Sequence, residues 1–470
     1  MPAPLVGGTV LGPPHAPDVT LPDDVTRPRA VALVRPAERR SLTPTALLSA
    51  AIAAEVFSGN WQYFGVPAAL DRVLLVLGIV ALAWGGVRAV TDRLLRFRPL
   101  HLLLLVVALY ATFSSMAAHT LGEKDAQFAL LDRLGLVPFL LFALAPLVFG
   151  TRRQRNVLLG ALVAVGAYLG IIVLLEGTGL EHLVFPSYIK DPSLGLHFGR
   201  ARGPFLESAA DGLSLYMCAV AAAVGLRTWR SAGARIACTA VMLVCGFGVL
   251  FTLTRAVWIG AALGTIVALA ASARTRPLVI PTLLAGTVLV VGALLLIPGL
   301  SGKAETRVQD NAAVWDRYNT NDAAVRMIET RPLFGFGWET FGTQGADYMR
   351  QAGSYPFTTG AGTVVHNVFL SHAAELGLIG ALLWTGALLG AVGGAVFRRG
   401  PAELAPWRQG MIAMFVAFLV VANLGPLGYA FPNVVLWTWA GVTGAEHFLR
   451  PSRRAVLLVE PSTGHVAQGV

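Results

Sequence analysis

Apolar runs of about bilayer-spanning length recur along almost the whole chain, a pattern that no soluble core accommodates. A transmembrane helix needs about 20 mainly apolar residues. Twelve runs approach that length: 43–59, 70–91, 99–118, 130–149, 156–176, 207–227, 234–253, 255–273, 277–297, 367–396, 408–426 and 431–449. Of the 470 residues, 13% are charged and 55% hydrophobic, about half the charge of a soluble domain. The sequence predicts an all-α polytopic membrane protein of about 12 transmembrane helices, with a large outer loop, 298–365, between helices 9 and 10.

Basic residues set the orientation. With the N-terminus inside, the inner loops hold Arg93, Arg96 and Arg98; Arg152, Arg153 and Arg155; Arg227, Arg230 and Arg235; Arg274 and Arg276; Arg398, Arg399 and Arg408; and Arg450, Arg453 and Arg454. The short outer loops are nearly free of Lys and Arg, apart from Lys124. This positive-inside pattern explains the net charge of +10 without a nucleic-acid partner. Residues 1–41 put Arg27, Arg29, Arg35, Arg39 and Arg40 ahead of the first apolar run, unlike a signal peptide. They read as a disordered cytoplasmic tail, and 451–470 as a second, short one.

The three cysteines, Cys218, Cys238 and Cys245, fall in apolar segments and read as buried thiols. No CxxC, DxD, HExxH or GxSxG pattern occurs, so no metal or cofactor is expected and serine-hydrolase chemistry is disfavoured. The informative residues are the outer basic ones. Arg255, in the tight turn Thr252-Leu-Thr-Arg255, sits at a membrane boundary on the face that the charge rule disfavours. Snorkelling to headgroups is the plain reading; a water-filled cavity holding an anion is the functional one. Arg200 and Arg202, in Arg-Ala-Arg-Gly-Pro204, suit bidentate phosphate recognition or a lipid-binding loop. His366 stands where the polar loop re-enters an apolar helix. It is either a helix cap or a general base, since imidazole ionises near pH 6.5. His372 competes for the base role and could instead pair with Glu375 along one helix face. Within the loop, 322–341 reads as an amphipathic helix, with Ala324, Met327 and Ile328 on one face, ended by Arg331-Pro332 and a bend at Gly335 and Gly337.

In this order, these pieces resemble the bacterial O-antigen ligase and O-antigen polymerase superfamily. The resemblance rests on Arg326-Met-Ile, Arg331-Pro-Leu-Phe-Gly-Phe-Gly-Trp338, Phe341, His366-Asn367 and Glu375-Leu-Gly377-Leu-Ile-Gly380, with Arg200-Ala-Arg202-Gly203 and Thr254-Arg255 upstream. It implies an O-antigen ligase-like transmembrane domain over 42–450 in the bacterial inner membrane, with both termini cytoplasmic. The donor would be a glycan on undecaprenyl pyrophosphate. The acceptor would be a hydroxyl of a lipid, polysaccharide or protein. Transfer would be metal-independent and inverting. His366 matches the family's base. Arg255 and Arg202, with Arg200 as the alternative, match the arginines that hold pyrophosphate, and Asn367, Arg326 and Glu375 match supporting positions. The chain departs from the family pattern at Thr254 and Ala256, where Ser and Gly are common, and lacks an Asn within 206–211.

Ligase and polymerase share these motifs, so the polymerase is the nearest alternative. A polysaccharide or lipid transporter would share the many spans and intramembrane arginines, but the halves show no inverted repeat. A cell-wall polymerase of the shape, elongation, division and sporulation type is a third possibility whose signature motifs are not evident.

Overall fold

Helices occupy all twelve predicted stretches in the computed structural model, which describes residues 41–66, 69–84, 93–195, 198–296, 299–309, 311–350, 364–398, 400–426 and 428–451. The predicted tails lie outside these residues except for Ser41 and Pro451. In chain order the helices are α1 (Thr43–Phe57), α2 (Leu70–Trp84), α3 (Pro99–Ala117), α4 (Lys124–Val148), α5 (Arg152–Gly177), α6 (Ser208–Thr228), α7 (Ala232–Phe251), α8 (Arg255–Ala270), α9 (Arg276–Leu296), α10 (Leu300–Gln309), α11 (Ala312–Thr330), α12 (Val368–Phe397), α13 (Ala402–Leu424) and α14 (Ala430–Thr443). Among the described residues, eight are long and apolar enough to cross a bilayer, namely α3 to α7, α9, α12 and α13. Helices α1, α2, α8 and α14 occupy four further predicted spans but are shorter. A three-residue antiparallel ladder joins Arg93–Leu95 to Leu449–Pro451.

Small residues set how closely the helices approach. Gly260 and Gly264 lie one turn apart on α8 and meet the backbone of α13 at Ala417 and Ala413, so any larger residue would separate the pair. That contact fixes the helix that Arg255 begins. Gly166 of α5 likewise rests on Cys218 and Cys245, and all three cysteines are buried and unpaired, as the sequence predicts. Helix α9 carries no charged side chain from Val279 to Leu296, yet Ala293 is its one buried residue among those described. Such a helix is compatible with lipid and not with water.

Among its described residues the predicted outer loop is largely helical. Helix α11 begins at Ala312, ten residues before the predicted start at Asp322. Its expected apolar face is real: Ala323, Ala324 and Met327 are fully buried against Phe336, Phe341, Val365 and Ala374, with Ile328 packed beside them. This small core docks the loop onto the start of α12.

Candidate functional site

The predicted helix after His366 is interrupted. At Gly377, φ is 69° and ψ 176°, and α12 kinks there. A break inside a membrane helix strands backbone groups that lipid cannot satisfy, and the loop segment Pro332–Gly337 supplies them. Phe336 N donates to Ala374 O (3.1 Å), Gly337 N to Glu375 O (2.8 Å) and Leu378 N to Pro332 O (2.8 Å). Tyr110 Oη donates to Leu376 O (2.8 Å). A side chain at Gly335 would collide with the backbone of Glu375 and Gly377, and one at Gly377 with Leu333 O. The motifs Arg331–Trp338 and Glu375–Gly377 are thus two halves of one joint. Replacing Gly377 by Ala should destabilise the fold by roughly 3 kcal/mol, since this backbone region is essentially reserved for glycine. A fall in Tm and in extractable protein would show this; an unchanged Tm would contradict the joint.

Glu375 completes the joint. It is buried, accepts from Phe341 N (3.2 Å) and lies 3.9 Å from Arg133. Arg133 also pairs with Glu339 and sits over the Trp338 ring, 5.2 Å from its centroid. Trp338 N donates to Ser114 Oγ (3.1 Å), and Thr120 Oγ1 donates to Trp338 O (2.8 Å). The expected pair between His372 and Glu375 is therefore replaced: Glu375 turns to the loop. His372 is enclosed between Trp338 and Trp384, at centroid distances of 5.5 and 4.5 Å, and is 1% exposed. That cage leaves no path for an acceptor hydroxyl. Arg326 braces the loop too, donating to Tyr348 O (2.7 Å) and lying 4.0 Å from Asp322.

His366 lies just outside α12. The helix cap is Asn367, whose Oδ1 accepts from Phe369 N (3.0 Å) and Leu370 N (3.1 Å), while its Nδ2 donates to Asn423 (3.2 Å). The imidazole is thus not the cap. It is half-buried, and its Nδ1 is 3.4 Å from Thr320 Oγ1 on α11. With the Thr320 hydroxyl proton directed to Asp316 O (2.8 Å), its oxygen is open to accept from His366 Nδ1–H. This arrangement favours the Nδ1–H tautomer, in which Nε2 keeps the lone pair that a base needs. Burial, and then the Arg317 cation, lower the His366 pKa to about 4. Arg317 is in turn lowered by burial and then by Arg255, although a guanidinium stays charged at any physiological pH. His366, Arg317 and Arg255, from three separate elements, therefore share one electrostatic neighbourhood.

The Arg200–Arg202 segment and the start of α6 are tied to the turn before Arg255 by one backbone and one side-chain hydrogen bond. Ala201 N donates to Phe251 O (3.2 Å), and Thr254 Oγ1 donates to Ser208 Oγ (3.2 Å). The two arginines differ sharply. Arg202 is 1% exposed; it donates to Ile189 O (3.0 Å), Asp191 O (2.5 Å) and Leu194 O, and stacks on Phe198. It holds its own loop together. Arg200 is half-buried, and it and Arg202 both offset the burial that raises the pKa of Glu207, the residue capping α6.

Arg317 and Thr320 escape the sequence reading because that reading starts the helix at Asp322. A signal existed: stepping back from Met327 by helical spacing reaches Ala324, Thr320 and Arg317 on one face. Among the described residues no three His, Cys, Asp or Glu side chains converge as metal ligands. Arginine and the N-terminus of α12 bring positive charge to this site.

Comparison with curated proteins returns no match. Residues 240–385 match the family model described as O-antigen ligase, a span that contains Arg255, Arg317, Thr320, His366 and both halves of the Gly377 joint. That match supports the O-antigen ligase and polymerase superfamily that the motifs of the sequence resemble.

Proposed function

We propose that this protein is an inverting glycosyltransferase that moves a glycan from undecaprenyl pyrophosphate to an acceptor hydroxyl on the outer face of the bacterial inner membrane, with both termini cytoplasmic. The observation that carries this reading is that Arg317 interacts electrostatically with both Arg255 and His366, next to the Asn367-capped end of α12. Two guanidinium groups beside a helix N-terminus at a membrane boundary suit an anionic ligand. A pyrophosphate supplies that anion, and its negative charge grows as the glycosyl bond breaks. Arg255, Arg317 and Arg200 stabilise the leaving pyrophosphate; Arg202 shapes the loop that presents Arg200. His366 Nε2 takes the proton from the acceptor hydroxyl as that oxygen attacks the anomeric carbon, from the face opposite the departing phosphate. Thr320 keeps Nε2 unprotonated. In this reading arginines do the charge neutralisation that a divalent cation supplies in other glycosyltransferases, and the reaction needs no metal.

The single displacement sets a test. The new glycosidic bond should carry the anomeric configuration opposite to that of the donor, read by NMR of the product; retention would exclude this mechanism.

The low His366 pKa sets another. The base must be neutral, so activity is expected above its pKa of about 4 and lost below it. The acid limb of kcat/KM, which reports the free enzyme, should lie well below the ordinary imidazole value near 6.5. Arg317→Gln removes one of the two causes of the depression, so the limb should move up toward neutrality. A limb that stays in place would separate Arg317 from His366.

A further inference from the structure

Two cavities meet at the ends of α5 and α6 that lie farthest from the arginine cluster. Arg202 N (3.4 Å) and Gly203 N (3.0 Å) both donate to Glu176 near the last residue of α5, whereas Arg152 is its first. The 26 residues of α5 separate these ends by ~39 Å, about one bilayer.

The first cavity, of about 200 Å³, is a crevice between α6, α7, α8 and α13, with Val220, Ala223, Met242, Leu269 and Ala413 among its walls. It runs along α6 from Tyr216 to Arg227, which spans ~16 Å, the hydrocarbon depth of one leaflet. The second, of about 250 Å³, lies at the mouth of the first and shares Arg227 and Pro406 with it. Its lining includes Arg152, Arg155, Arg227 and Glu403, a net charge of +2 from three arginines and one glutamate. Glu403 is engaged by Arg155 (2.7 Å). Arg152 donates to Thr228 O (2.9 Å) and Arg227 to Gln409 Oε1, both neutral oxygens. Asn156 also lines this pocket, and its Oδ1 is buried with no hydrogen-bond partner.

We propose that this pair of cavities binds an anionic phospholipid of the leaflet opposite the catalytic face. One acyl chain fills the crevice. The phosphate lies between Arg152 and Arg227, and a headgroup hydroxyl donates to Asn156 Oδ1. Charge complementarity selects an anion, because basic pockets between membrane helices suit phosphate headgroups. The crevice's leaflet-deep apolar wall selects a lipid over a free phosphate. Zwitterionic choline lipids bring neither net charge nor a hydroxyl donor. Such a lipid would brace α5, α6 and α13 beneath the site without taking part in transfer.

The test is thermal unfolding of the full-length protein in detergent, with phosphatidylglycerol, phosphatidylcholine or inorganic phosphate added. Phosphatidylglycerol should raise Tm by about 3 °C when well above its Kd, and the other two should leave it unchanged. The Arg152→Ala/Arg227→Ala double variant and the crevice-filling Ala413→Phe should both lose the rise. An equal rise with phosphatidylcholine, a rise reproduced by inorganic phosphate, or a rise that survives in the double variant would each overturn the assignment. Should those variants fail to fold, native mass spectrometry of the wild-type protein decides: retained phosphatidylglycerol in excess over zwitterionic lipid supports the site, and no such excess overturns it.

Discussion

Replacing His366 with Ala should reduce glycan transfer by roughly 100- to 10,000-fold, the range that a general base contributes, while leaving the protein folded in the membrane. The second half of that expectation follows from the local structure. His366 carries no cap and no core contact of α12: Asn367 holds the helix end, and Val365 and Ala374 belong to the small core that docks the loop. Among the described residues, loss of the imidazole removes a 3.4 Å contact to Thr320. Gel filtration and Tm close to those of the wild type, together with transfer near background, would confirm the role. The neighbouring His372→Ala should behave in the opposite way. It opens a void between Trp338 and Trp384 and should lower Tm more than it lowers the rate of the folded fraction.

Arg255→Ala should cost roughly 100- to 1,000-fold in kcat/KM for the lipid-linked donor, as expected when one fixed charge is removed from a developing anion. Most of the loss should appear in kcat, because charge on the bridging oxygen grows toward the transition state. The two loop arginines should then separate. Arg200→Ala should weaken donor use in a stable protein. Arg202→Ala deletes the donors to Ile189, Asp191 and Leu194 and should lower the yield of folded protein. A stable Arg202→Ala protein with a selective donor defect would reverse that assignment, and wild-type turnover in Arg255→Ala would remove the pyrophosphate role from the turn.

Much of this architecture is legible because bilayer physics acts on composition. Apolar runs as long as a membrane span mark helices wherever they occur, and the start of α8 at Arg255 appears at the predicted residue. The face Ala324–Met327 was readable from its spacing. What stayed hidden depends on contacts between distant segments. The kink at Gly377 sits in a run whose composition, Ala-Ala-Glu-Leu-Gly-Leu-Ile-Gly, suits an unbroken helix, and only the return of Pro332–Gly337 makes the break affordable. Arg200 and Arg202 are the same residue type two positions apart, and no local pattern shows which one turns back on its own loop. The first turns of α11 carry Asp316, Arg317, Asn319, Thr320 and Asn321, too polar to reveal the buried face that brings Arg317 and Thr320 to His366.

The most direct measurement is single-turnover transfer in detergent, where no second compartment exists for a transporter to use. Purified protein is mixed with undecaprenyl-pyrophosphate-linked glycan and an acceptor hydroxyl, and release of undecaprenyl pyrophosphate is followed. The structure predicts stoichiometric release with the wild-type protein and release at background with a folded His366→Ala protein. Equal release from both, or none from the wild type where vesicles show translocation of the donor, would contradict it.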